Sequence, residues 1–195
     1  GHGNYATQSV AASRPLYIAN AINGQPVVRF DGTNDFLGFV GTQRIYSNSV
    51  FVAYKLNAGS YPLIFGDLSG AEQGIDARDG SGVLNDILDI GAGYANDARA
   101  TLPDIAGYEQ WKLIDWIQTG YSHSAIVRAN GVPATMSGTG NSVAFDFCLG
   151  VAGGAGFGGV GAHGSDINTY AARCDVAEVI FFDTAVSTAQ RDEVE

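Results

Sequence analysis

A chain of 195 residues with a formal net charge of −10 is poorly matched to nucleic acid, whose phosphates call for clustered Lys and Arg. No run approaches the roughly 18 apolar residues needed to cross a bilayer, so membrane insertion is not expected. With 27 glycines, 11% aromatics and only 15% charged residues, the composition suits an all-β domain with many turns, not a helical bundle or a disordered segment.

Residues 1–23 are polar and turn-rich, contain Pro15, end on Asn23-Gly24, and read as an extended arm lying on a sheet. Val27, Val28 and Phe30 predict a short strand. Asp31-Gly32-Thr33-Asn34-Asp35 is a dense turn cluster, after which Phe36, Leu37 and Phe39 resume the strand. Residues 49–56, 63–65, 74–77 and the alternating 83–90 predict further strands, followed by a Gly-, Ala- and Asp-rich loop to Gly107. From Glu109 to Gln118 the pattern alternates at period two. Trp111, Leu113, Asp115 and Ile117 share one face; Lys112, Ile114, Trp116 and Gln118 share the other. Asn130-Gly131, between strands at 124–129 and 132–136, is the strongest hairpin signal, and 143–151 predicts another strand.

The C-terminal stretch organises the rest. Val176, Ala177, Val179, Ile180, Phe181 and Phe182 form a nearly continuous apolar run, broken by Glu178, that suits a central strand buried on both faces. Asp183 and Thr184 end it. Ser187 and Gln190 then give the S-x-x-Q spacing of a capping box, so a helix starts near Thr188, about two turns before the sequence stops. A helix of that length after a buried strand suggests a domain taken from a longer protein. Repeated short strands with turns between them imply a two-sheet antiparallel β-sandwich, one domain over 1–195. Cys148 and Cys174 fall in predicted strands, as buried thiols or as a disulfide.

The ends of the chain resemble a known family. Ala6-Thr7-Gln8, Arg14-Pro15, Ile22-Asn23-Gly24-Gln25-Pro26 and Val28-Arg29-Phe30-Asp31-Gly32-Thr33-Asn34-Asp35 resemble the entry of laminin-G-like jelly-roll domains of the concanavalin A-like lectin/glucanase superfamily. Asp175-Val176-Ala177-Glu178-Val179-Ile180, Phe182-Asp183, Ala185-Val186-Ser187 and Gln190-Arg191 resemble its closing strand and helix. Asp89-Ile90-Gly91-Ala92-Gly93, Gln110-Trp111 and Asn130-Gly131 fit more loosely, and the loops between Gly41 and Tyr108 depart from the pattern. The resemblance implies a curved jelly-roll sandwich. In that family such folds bind glycans or protein ligands, sometimes through calcium, as modules of secreted or phage-borne proteins.

Candidate chemistry is sparse. Gly156-Phe157-Gly158-Gly159-Val160-Gly161 spells G-x-G-x-x-G, but Ala162-His163-Gly164-Ser165-Asp166 has no helical period, so it reads as a glycine loop and not a dinucleotide site. Glycan hydrolysis needs two carboxyls flanking one bond. No E-x-D-x-x-E triplet is present, Asp86 and Asp89 point to opposite faces of a strand, and Glu178 reads as a satisfied structural carboxylate. His2, His123 and His163 lack metal-ligand spacing. Calcium would draw on loop carboxylates: Asp67 with Glu72, Asp76 with Asp79, and Asp97 with Asn96. For a glycan, Trp116 with Gln118 and Lys112 on one strand face is the leading candidate, because those polar neighbours suggest a face partly in water. Tyr61, Tyr94 and Tyr121 on loops, with Arg78, His123 and Arg128, come second.

The reading is a non-catalytic recognition module for a surface glycan, in a secreted or virion-associated multidomain protein, with calcium as the candidate cofactor. Two alternatives stand beside it: a structural or assembly module of a phage particle contacting neighbouring subunits, and a glycan hydrolase or lyase with an unrecognised acid pair.

Overall fold

The computed structural model describes residues 6–39, 48–58, 63–67, 74–76, 87–90, 98–101, 109–119, 126–137, 158–160 and 171–195. The entry segment contributes β1 (Ala6–Thr7) and, after a 3₁₀ turn at Ala11–Ser13, β2 (Leu16–Ile22). The N-terminal segment is therefore more than an arm, because β2 hydrogen-bonds to β3 (Gln25–Asp31) through the Asn23-Gly24 hairpin. Both turn residues take positive φ, 47° and 79°, which Asn and Gly tolerate best. The 31–35 cluster is an Asx turn: the Asp31 carboxylate accepts from the amides of Thr33 and Asn34, and Asp35 accepts from the amide of Asp31. Gly32 has φ 75° there, and a Cβ on it would stand 2.7 Å from that of Arg173. The turn does not let the strand resume in place. It carries the chain across to the other sheet, where β4 (Leu37–Phe39) lies.

The chain continues through β5 (Asn48–Ala58), β6 (Leu63–Asp67), β7 (Gly74–Asp76), β8 (Ile87–Ile90), β9 (Ala98–Thr101) and β10 (Trp111–Gln118). After β11 (Ile126–Ala129), the Asn130-Gly131 hairpin leads to β12 (Val132–Pro133) and β13 (Thr135–Ser137). Then come β14 (Gly158–Val160), β15 (Arg173–Phe182) and the helix α1 (Thr188–Val194). Two stretches expected as loops thus hold strands: Ala98–Thr101 pairs with β8 and β13, and the glycine segment pairs with β4 and β6. A paired strand in place of a turn feeding a helix also disposes of the dinucleotide motif. The strand expected at 143–151 and the first half of 83–90 lie outside the described residues.

Every described pairing is antiparallel. One sheet runs β12-β11-β10-β5-β15-β3-β2 and the other β1-β4-β14-β6-β7-β8-β9-β13. The last strand, β15, pairs with β3 near the start of the chain, with Cys174 opposite Phe30 and Val176 opposite Val28. Alternation sorts the seven-stranded sheet into two faces. Val50, Val52, Tyr54, Leu56, Ile114, Trp116, Val127, Ala129, Phe30, Cys174 and Val176 form the core, and Leu37 of the eight-stranded sheet packs against them. Burying each large side chain contributes about 1.5–3 kcal/mol. Cys174 is a free thiol, and burial pushes its pKa far up, so it acts as a small core hydrophobe. A β-bulge between Val176 and Glu178 rephases β15, so that Val179 and Phe181 face the core while Glu178 pairs with Ala53 on the outer face and is exposed. The satisfied core carboxylate expected there is not found.

The helix lies on that outer face. Its capping box is complete, with Ser187 Oγ accepting from the Gln190 amide and Gln190 Oε1 accepting from the Ser187 amide. Ser49 Oγ donates to the Thr184 carbonyl and accepts from the Val186 amide, which anchors the approach to the helix. Arg191 is buried beneath the helix, where it pairs with the buried Asp115 and donates to the Ile126 carbonyl. Arg191→Ala leaves that carboxylate uncompensated and should lower unfolding free energy by about 3–5 kcal/mol. The double variant Arg191→Met, Asp115→Leu should recover most of the loss. Urea denaturation of the two variants checks both expectations.

Candidate functional site

The outer face of the seven-stranded sheet is divided. The helix covers the rows around Phe51, Ala53, Leu113, Glu178 and Ile180, leaving with Val194 a shallow pocket of about 30 Å³. The next row is not under the helix. Strand register sets Arg29 of β3, Asp175 of β15, Lys55 of β5 and Trp111 of β10 side by side. Four adjacent strands make this row about 14 Å long.

Asp175 is its buried centre. Arg29 donates to both carboxylate oxygens, from Nε at 2.7 Å and Nη2 at 2.9 Å, and Asn57 donates to Oδ1 at 3.0 Å. Lys55 Nζ stands 3.5 Å from Asp175, 3.6 Å from Glu109 and 5.6 Å from the centre of the Trp111 ring. Burial alone would raise the Asp175 carboxyl, but the hydrogen bonds from Arg29 and Asn57 and the two nearby cations more than offset it and hold it below the usual range. The remaining groups face water in graded fashion: Lys55 is 18%, Arg29 44% and Glu109 68% exposed, and Trp111 is half-buried.

The backbone fixes where these side chains point. Glu109 sits at φ 60°, and its amide donates to the Leu56 carbonyl at 2.8 Å, which pins the entry to β10 beside β5. Asn130, at φ 50°, accepts from the Leu113 amide through its side chain and donates its own amide to the Leu113 carbonyl. The surface therefore presents an aromatic ring, a cation, a carboxylate and a guanidinium within one row.

This reverses the roles expected of the two tryptophans. Trp116 is 3% exposed in the core, and Lys112 and Gln118 are each only 4% exposed on the same inward face. Lys112 reaches its place by donating to Gln110 Oε1 at 3.0 Å, so a polar residue on that face does not signal water. Asp115, on the opposite face with Trp111, is buried by the helix. Arg128 is spent on the helix as well, donating to Asp192 and Glu195 at 3.1 and 3.2 Å. Arg78, Tyr61, Tyr94, Tyr121, His123, Glu72, Asp79, Asn96 and Asp97 lie outside the described residues.

Of the calcium candidates, Asp67 and Asp76 are on strands, not loops: Asp67 is opposite Gly158, and Asp76 is opposite Leu63 and Asp89. Register places Asp89 between Asp76 and Arg99. No group of three metal-ligating side chains occurs among the described residues.

Neither a family model nor a curated protein sequence matches this chain. Solved structures do. The heptameric SAP-like pentraxin from Limulus polyphemus has a TM-score of 0.58 at 18% identity, over 83% of this chain and 77% of the pentraxin. The fold is a concanavalin A-like jelly-roll sandwich. Domain 4 of AbnA, a GH43 extracellular arabinanase from Geobacillus stearothermophilus, in complex with arabinotriose, gives 0.57 at 14% identity over 92% of this chain and 80% of that domain. Trypanosoma rangeli sialidase in complex with sialic acid gives 0.55 at 12% identity. There the jelly roll covers 94% of this chain but only 33% of the sialidase. No helix among the described residues is long and apolar enough to cross a membrane.

Because the Asp175 carboxyl is held below its unfolded value, the stability it contributes is complete above about pH 4 and is lost as pH falls through its folded-state value. Asp175→Asn should therefore lower stability at pH 7 and flatten the acid limb below about pH 4. Urea midpoints measured at a series of pH values check the sign.

Proposed function

We propose that this jelly roll is a non-catalytic recognition module for a surface glycan, a laminin-G-like unit of a larger extracellular or virion-associated protein. The observation that carries this reading is the half-buried Trp111 beside Lys55, Glu109 and Arg29 on a face the helix leaves open. Sugars bind through the apolar face of the ring against an aromatic and through hydroxyls bonded to charged or amide groups. Similarity to an arabinanase domain in complex with arabinotriose supports it. Asp175 is unsuited to general-acid chemistry: both its oxygens accept from Arg29 and it is held ionised.

Binding to a polysaccharide panel, with and without EDTA, tests the reading. Trp111→Ala should weaken binding about tenfold or more with the fold intact. Trp116→Ala should instead cost about 3–5 kcal/mol of stability. Binding through the Trp111 surface survives EDTA. Loss on chelation would transfer the site to calcium on Asp67, Asp76 and Asp97, and no binding in either condition would remove the reading.

The assembly alternative draws on one observation. Leu16 and Tyr17 are exposed on β2, an edge strand with no partner on its outer side among the described residues. Self-association in sedimentation velocity, abolished by Leu16→Lys, is the result expected of a subunit-contacting module.

A further inference from the structure

Resting on the glycan reading above, we infer that the Trp111 row selects neutral saccharides and rejects those bearing carboxylate or sulfate. Three independent features converge on this. The row is charge-balanced, because Arg29 and Lys55 face Asp175 and Glu109 at 2.7 to 3.6 Å. An anionic sugar would therefore meet a row of zero net charge, in which the buried Asp175 is locked by three hydrogen bonds and Glu109 stands beside Lys55.

The second feature is the state of Lys55. Its ammonium contacts two carboxylates at 3.5 and 3.6 Å but completes no hydrogen bond among the described residues, and it stands over the Trp111 ring, 5.6 Å from the ring centre. An ammonium offers three donors and an ionised carboxylate only acceptors, whereas a hydroxyl both donates and accepts. One sugar hydroxyl, or two neighbouring ones, can accept from Lys55 and donate to Glu109 while the ring lies on Trp111. The pair is satisfied without adding charge. The third feature is the field of the whole chain, whose formal charge of −10 opposes an approaching polyanion.

Isothermal titration of the intact chain with neutral arabino-, xylo- and gluco-oligosaccharides, against uronate oligomers and sulfated chains of matched length, tests this. The expected result is binding of at least one neutral series, with affinity changing less than about twofold between about 0.05 and 0.5 M salt. Glu109→Gln, at an exposed side chain, should weaken that binding about tenfold with an unchanged melting temperature; Lys55→Met should weaken it as much while also lowering the melting temperature, since Lys55 answers the buried Asp175. Preferential binding of uronate or sulfated chains, or steep loss of affinity with salt, overturns the neutral selectivity and leaves glycan recognition standing. Absence of binding to both the neutral and the anionic series removes the recognition reading and the selectivity with it.

Discussion

A buried carboxylate is tolerated only when its charge is answered, and Asp175 is answered from the strands on both sides of it. Arg29 comes from β3, Lys55 and Asn57 from β5, and Asp175 itself from β15. Those strands include the last one and β3 near the start of the chain, so this electrostatic knot sits where the two ends of the chain meet in the sheet. The same knot orients Arg29 and Lys55 toward the surface beside Trp111. That meeting and the candidate site are therefore one arrangement, and the residues that form it are separated by up to 146 positions. A ladder of this kind is stronger than isolated surface ion pairs, which contribute about 0–1 kcal/mol, because its central charge is desolvated and fully hydrogen-bonded.

The outer face illustrates how one sheet surface is given two uses. A bulge of one residue in β15 moves Glu178 outward and restores Val179 and Phe181 to the core. Beyond the bulge, Phe51 and Phe182 meet edge-on with ring centroids 6.0 Å apart, and the helix seals that end through Arg191. Short of the bulge, nothing described covers the row, and its charges balance one another. The helix needs its buried cation because Asp115 stands in the middle of an otherwise apolar patch. Arg191 answers it, while Arg128 holds Asp192 and Glu195 at the helix end.

Much of the architecture was legible because local rules and tertiary context agree. Asn23-Gly24 and Asn130-Gly131 are hairpins with positive φ at both residues, Ser187 and Gln190 form their capping box, and the long apolar runs are the central strands. The strands at Ala98–Thr101 and Gly158–Val160 were not legible, because Gly and Ala carry little β-propensity and these segments are strands through their neighbours. Gly159 pairs with Gly38 on one side and Gly66 on the other, and Gly66 with Gly74, a row held by backbone bonds alone. The site was misread for a related reason. Period-two alternation correctly separated Trp111 from Trp116, but deciding which face is wet from one Lys and one Gln requires knowing what packs on each side. Both Lys112 and Gln118 are buried, and the Lys112 ammonium donates to Gln110 Oε1 there. Arg29, Lys55 and Asp175 gave no joint signal, since register across three strands brings them together.

The chemistry of the row bears on recognition against catalysis. Cleaving a glycosidic bond requires one carboxyl that keeps its proton near neutral pH and a second held apart from it. Asp175 is driven the other way, toward permanent ionisation, and its oxygens are turned inward to Arg29 and Asn57. Asp35 is raised by burial, as a general acid would be, yet it accepts the Asp31 amide at the 31–35 turn and serves the backbone there. Among the described residues, the raised carboxyl and the lowered one are thus each committed to a structural partner, the Asp31 amide and Arg29. A surface whose charges are mutually balanced and rigidly held suits equilibrium binding, in which nothing has to change protonation state for the ligand to arrive or leave.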